Sequence, residues 1–189
     1  MGHLQPVFYY DLGSPHCYVV AETIMATLPV VPEWEPVLGS DLAPADPDPE
    51  MSYREQLERL ANHLGLQPVR WPPHWPPDSE TAMLAATYAK RIGRAVAFSL
   101  AAFRQAFAGG RDLADENTVL IAGAACEMHP TALRKGIELT GTRNALQAAG
   151  RRAREAGVTT IPAIQIGDSV CSGTDAIATA TAVLSEPTR

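Results

Sequence analysis

Cysteine is scarce in this chain. Only Cys17, Cys126 and Cys171 occur among 189 residues. None of them makes a close-spaced pair, and none stands with histidines at zinc-ligand spacing, which argues against a structural metal. An odd, low count with no positive-then-apolar leader at the start suits free thiols in a reducing compartment, so the expected location is cytoplasmic. Positive charge is thin as well. The net charge is −6 and no basic run exceeds two residues, which argues against nucleic acid as the main partner. No uninterrupted apolar run approaches the roughly 18 residues a membrane span needs. Internal repeats and low-complexity tracts are also missing.

What remains is 46% hydrophobic and 19% charged, enough apolar material for one packed domain or one domain with an insertion. The most informative segment is Ser14-Pro15-His16-Cys17. It follows the apolar run Val7-Phe8-Tyr9-Tyr10 and the turn-like Asp11-Leu12-Gly13. Ser is a good N-cap and Pro is favoured at the first helical position, so the segment reads as strand, tight turn and helix start. The helix runs from Pro15 to about Leu28, with Tyr18, Ala21, Ile24, Met25 and Leu28 at helical spacing. Pro29 and Pro32 end it, and a second strand is expected over Val30 to Leu38. Two strands joined by a helix suggest a right-handed parallel β-α-β unit.

Gly39 to Glu50 holds three prolines and four acids and reads as a loop. A helix over Met51 to Leu64 follows. The extended segment Val69 to Pro77 holds four prolines, which forbid a helix or an inner strand. Asp78 or Ser79 caps the next helix, to about Ile92. Further helices are expected over Arg94–Ala108, Glu116–Glu127, Thr131–Leu139 and Thr142–Ala156. After Gly157 the pattern changes. Ile161 to Ile166 is a strand, Gly167-Asp168 a hairpin turn, Ser169 to Ser172 a returning strand, and Gly173-Thr174-Asp175 opens a last helix. The expected fold is α/β: a thioredoxin-like β-α-β / β-β-α sheet over residues 1–40 and 157–189, split by an all-helical insertion over 41–156 with a Pro-rich connector at 67–78.

Three separated motifs carry a resemblance. They are Phe8-Tyr9-Tyr10-Asp11-Leu12-Gly13-Ser14-Pro15, the run Arg70-Trp71-Pro72-Pro73-His74-Trp75-Pro76-Pro77, and Gly157-Val158-Thr159-Thr160-Ile161-Pro162 with Gly173-Thr174-Asp175 beyond it. Together they resemble the DsbA-like superfamily, and within it the 2-hydroxychromene-2-carboxylate isomerases and kappa-class glutathione transferases. In that branch a serine replaces the redox cysteine, and glutathione or another low-molecular-weight thiol supplies the sulfur. The resemblance implies that Ser14 hydrogen-bonds the thiol sulfur and favours its thiolate, the reactive species. It implies that Ile161 offers its backbone to the thiol beside a cis peptide at Pro162, and that Thr174 and Asp175 hold the γ-glutamyl end. The loop after the second strand commonly carries lysines in these isomerases, whereas Gly39 to Glu50 has none. Ser14-Pro15-His16-Cys17 also stands between this branch and the Cys-Pro-His-Cys of the redox branch. Relatives usually dimerise, so a homodimer is implied.

Each residue also has a structural reading. Ser14 can be only a helix cap, Cys17 a small buried apolar residue, His16 an exposed helix-start residue, and Pro162 a trans proline at a strand edge. Trp71, His74 and Trp75 either pack against the insertion or wall a hydrophobic pocket, and His16 is a further candidate for that pocket. Cys126 and Cys171 read as structural. Two active functions follow: an enzyme using a thiol cofactor on an electrophilic, aromatic small molecule, with Ser14 stabilising the thiolate, or a thiol–disulfide oxidoreductase acting through Cys17. A degenerate binding module is the third reading.

Overall fold

The computed structural model describes residues 5–43, 51–173 and 175–185. A mixed sheet of four strands lies at its centre, in the order β2-β1-β3-β4. Strand β1 (Val7–Tyr10) pairs in parallel with β2 (Glu33–Pro36) and antiparallel with β3 (Ala163–Ile166), which continues antiparallel into β4 (Ser169–Ser172). Helix α1 (Pro15–Thr27) makes the crossover between β1 and β2. Gly167, at φ 57°, forms the β3–β4 hairpin turn with Asp168, a backbone shape that glycine adopts without strain.

Between the two halves of the sheet stand α2 (Met51–His63), α3 (Glu80–Arg91), α4 (Ala95–Phe103), α5 (Glu116–Ala125), α6 (Pro130–Glu138) and α7 (Thr140–Glu155). Helix α8 (Ala176–Ser185) closes the described chain. The β-α-β, helical block and β-β-α order is thus the one the sequence predicts. Two strands start later than expected, for one reason. Proline has no N–H for the ladder, so pairing begins after Pro32, where the Glu33 N–H donates to the Pro6 carbonyl at 2.8 Å, and again after Pro162. The expected single helix over 94–108 is α4 followed by one wider turn at Arg104–Ala108, closed by the Gly109 N–H donating to the Arg104 carbonyl at 2.8 Å.

Alternation along β1 divides the core. Phe8 and Tyr10 point to one face, where the Trp34 ring meets theirs at 5.1 and 5.4 Å. That cluster runs without interruption into Phe98, Phe103 and Phe107 of the helical block and into Ala176 and Ala180 of α8. Tyr9 points to the other face and packs with Val37, Val158 and the α7 residues Ala149 and Ala153. The helical insertion therefore shares its core with the sheet. A fully buried polar contact crosses this seam: the Tyr10 hydroxyl and Ser99 Oγ of α4 are 2.7 Å apart, and both residues are fully buried. Among the described residues no helix is long and apolar enough to cross a membrane.

Tyr10→Phe is expected to cost about 1–3 kcal/mol, because it orphans a buried Ser99 hydroxyl. The double variant Tyr10→Phe, Ser99→Ala should cost less than the single one. Urea unfolding followed by circular dichroism checks both.

Candidate functional site

The turn between β1 and α1 is held by the Asp11 side chain. One carboxyl oxygen accepts the Gly13 N–H at 2.8 Å, an Asx turn that bends the chain into the helix. The other accepts the Gly39 N–H at 2.7 Å from the loop after β2. The Ser79 hydroxyl, at the head of α3, bonds the same carboxyl. Asp11 is only 7% exposed. Burial pushes its pKa above the usual carboxylate range, against the three hydrogen bonds that pull it down. The glycines beside it sit in close quarters. A Cβ on Gly39 would stand 3.0 Å from the Ile161 side chain, and one on Gly13 would stand 3.2 Å from Ser79.

Ser14 follows directly. Its Oγ accepts the Cys17 N–H at 3.3 Å and caps α1, with Pro15 at the first helical position. The first turn of α1 holds no acidic residue, so the helix carries its own positive end there. Ser14 is half-buried and its surface opens into a cleft of about 730 Å³. The floor is Asp11, Gly13 and Ser14. One wall is Leu38, Gly39, Ser40 and Ala43, and Thr160 and Ile161 supply the loop that leads into β3. The outer wall comes from the insertion: Tyr53 of α2, then Trp75 to Glu80.

His16, one residue into α1, also lines this cleft. Its ring meets Tyr53 edge-on at 5.0 Å, and the Tyr53 hydroxyl lies 3.4 Å from His16 Nδ1. Burial lowers the His16 pKa, so the imidazole is neutral at neutral pH. Trp75 faces the cleft and Trp71 stands behind it. The two rings meet at 5.3 Å, the Trp71 indole N–H donates to Glu58 at 2.8 Å, and the Arg54 guanidinium lies 4.7 Å over the Trp71 ring.

The structure therefore brings Ser14, His16, Trp75 and Ile161 together and separates others from them. The Ile161–Pro162 peptide is cis. Pro162 itself is buried, its carbonyl accepting the Gly173 N–H at 3.0 Å. Cys17 does not reach the cleft: it is fully buried, and burial pushes its thiol up to about 12 despite the neighbouring Ser14 hydroxyl. Such a thiol carries almost no thiolate at neutral pH, which corrects its expected catalytic role. Trp71 is corrected from pocket wall to buttress, because its indole edge is turned toward α2. Asp175 sits exposed at the head of α8, outside the cleft lining. Thr174 lies outside the described residues, as does 44–50 of the acidic loop. Asp11, Tyr53 and Ser79 are site residues that the sequence reading missed. The Asx-turn pattern Asp11-Leu12-Gly13 carried a signal for the first; nothing local placed the other two.

A family profile of the DsbA-like thioredoxin domain matches residues 7–185. The chain belongs to that family. No curated protein sequence matches it closely enough to establish kinship. Among solved structures, this DsbA-like chain is similar to a 2-hydroxychromene-2-carboxylate isomerase at a TM-score of 0.83 and 15% identity, over 95% of this chain and 93% of that one. It is similar to a probable DsbA oxidoreductase from Streptomyces coelicolor at a TM-score of 0.76 and 19% identity, over 96% and 88% of the two chains. It is also similar to the cytosolic disulfide reductase DsbM of Pseudomonas aeruginosa, solved with GSH, at a TM-score of 0.64 and 14% identity, over 88% of each. Isomerases and thiol oxidoreductases thus share the DsbA-like fold seen here.

Asp11 supplies a pH test of this geometry. A carboxyl with a raised pKa in the folded chain binds its proton more tightly folded than unfolded. The stability this contributes is full below the ordinary carboxylate value, about 4, and is lost as the pH rises through the raised value. Denaturant midpoints of the wild type should therefore fall relative to Asp11→Asn as the pH climbs from about 4. Parallel pH curves for the two proteins would contradict the assignment.

Proposed function

We propose that this protein is an enzyme of the DsbA-like family that binds a low-molecular-weight thiol, glutathione or another, and presents its sulfur to an electrophilic small molecule. One observation carries the proposal: the α1 terminus offers a hydroxyl to an open cleft, at the place where redox relatives carry a nucleophilic cysteine. The Ser14 oxygen already accepts from the Cys17 N–H, so its own proton is the part it can give to a ligand. A hydroxyl proton and the positive end of a helix both favour a thiolate over a thiol. Ile161, on the facing loop, would hold the ligand's peptide-like portion through its backbone. Trp75, Tyr53 and the neutral His16 ring would form an apolar wall against an aromatic substrate.

When bound, the thiol would supply a nucleophilic sulfur for addition to an electrophile, reversible in an isomerisation and retained in a transfer. Ser14 would hold the sulfur at the helix end. These features fit the thiol end of glutathione. Its two carboxylates meet no Lys or Arg side chain among the described residues lining the cleft. A homodimer and a reducing compartment remain part of this proposal, the latter consistent with three free cysteines.

Redox chemistry through Cys17 is the weaker reading. The buried thiol occupies the position of a second, resolving cysteine and has no partner sulfur at Ser14. It could not complete a dithiol cycle alone.

Ser14→Ala should raise the apparent pKa of the bound thiol by about one unit, the worth of one hydrogen bond to a charged group. Turnover with an electrophile at neutral pH should fall about tenfold. The lost cap should cost about 1 kcal/mol of stability and leave the fold intact. Ultraviolet thiolate absorbance of the complex, titrated against pH, reads the first effect. An unchanged thiol pKa in the variant removes Ser14 from its proposed role.

A further inference from the structure

We infer that the thiol this cleft selects carries no net negative charge: a neutral or cationic thiol, bound through hydroxyl and amide groups rather than through carboxylates. This rests on the thiol-binding reading above and names the class of ligand. The described lining holds three carboxyl groups, Asp11, Asp78 and Glu80, and no lysine or arginine. Two arginines stand near the outer wall, and both are engaged. Arg54 lies over the Trp71 ring and 6.0 Å from the centre of the Trp75 ring, while Arg143 bonds Glu80 itself. The basic candidate inside the lining, His16, is held neutral by burial. An anionic ligand would leave water for a wall that offers it no free counter-charge: Arg143 is spent on Glu80, and Asp78 adds an exposed carboxyl.

What the wall does supply is uncharged. Ser14, Ser40, Ser79 and Thr160 bring hydroxyls, and Leu38, Ala43, Pro76 and Trp75 bring apolar surface. Such a lining suits amide and hydroxyl groups on a compact polar ligand. The site commits only the sulfur to a charged state, and the helix end at Ser14 meets that charge.

Matched ligands separate charge from shape. Calorimetry on the full chain would compare glutathione with its diethyl ester, and N-acetylcysteine with N-acetylcysteine amide. The uncharged or cationic member of each pair should bind at least about tenfold more tightly at low salt, and added salt should narrow the gap. The double variant Asp78→Asn, Glu80→Gln changes two exposed side chains and should shrink the same ratio. If the carboxylate forms bind as tightly as their esters and amides, or if the double variant leaves the ratio unchanged, the inference is overturned while thiol binding stands. If none of the four thiols binds, the thiol-binding reading itself falls, and this inference falls with it.

Discussion

A carboxyl group taken out of water must find donors, and at Asp11 the donors come from distant parts of the chain. Gly13 lies in the same turn, Gly39 follows β2, and Ser79 heads α3 beyond the proline-rich connector. One side chain therefore fixes the angle at which β1 enters α1 and sets two cleft walls against that corner. The direction in which Ser14 points is a consequence of this knot. The glycines at 13 and 39 lie at the same close approach, where a side chain would crowd Ser79 and Ile161.

Around that corner, a single oxygen changes what the fold can do. By the sequence resemblance, Ser14 and Cys17 fall on the two cysteine positions of the redox branch, yet the two groups here divide their duties. The serine caps the helix and faces the cleft, while the cysteine is sealed in the core beneath it. The helical insertion completes the site rather than standing apart from it. It shares an apolar core with the sheet and contributes Tyr53, Trp75 and Ser79 to the cleft.

Local chemistry made much of this legible. A serine and a proline at a helix start, prolines that bar ladder hydrogen bonds, a glycine-aspartate hairpin and the change of periodicity after Gly157 all act within a few residues. They gave the element order and placed Ser14; Ile161 came from the resemblance of the 157–162 run. The misses share a different cause. Ser79 matters through contact with a residue 68 positions earlier, and no pattern in its own segment reports that. Trp71 and Trp75 sit in one proline-rich run, and which ring faces the cleft depends on contacts with α2. Cys17 was open to two readings because burial, rather than sequence position, decides whether a thiol ionises.

The most direct measurement is a crystal structure of the protein with a bound thiol. The account predicts the sulfur within hydrogen-bonding distance of Ser14 Oγ, with the ligand backbone alongside Ile161 and its remaining bulk under Trp75. A sulfur bound elsewhere, with the Ser14 hydroxyl directed only at the first turn of α1, would contradict it.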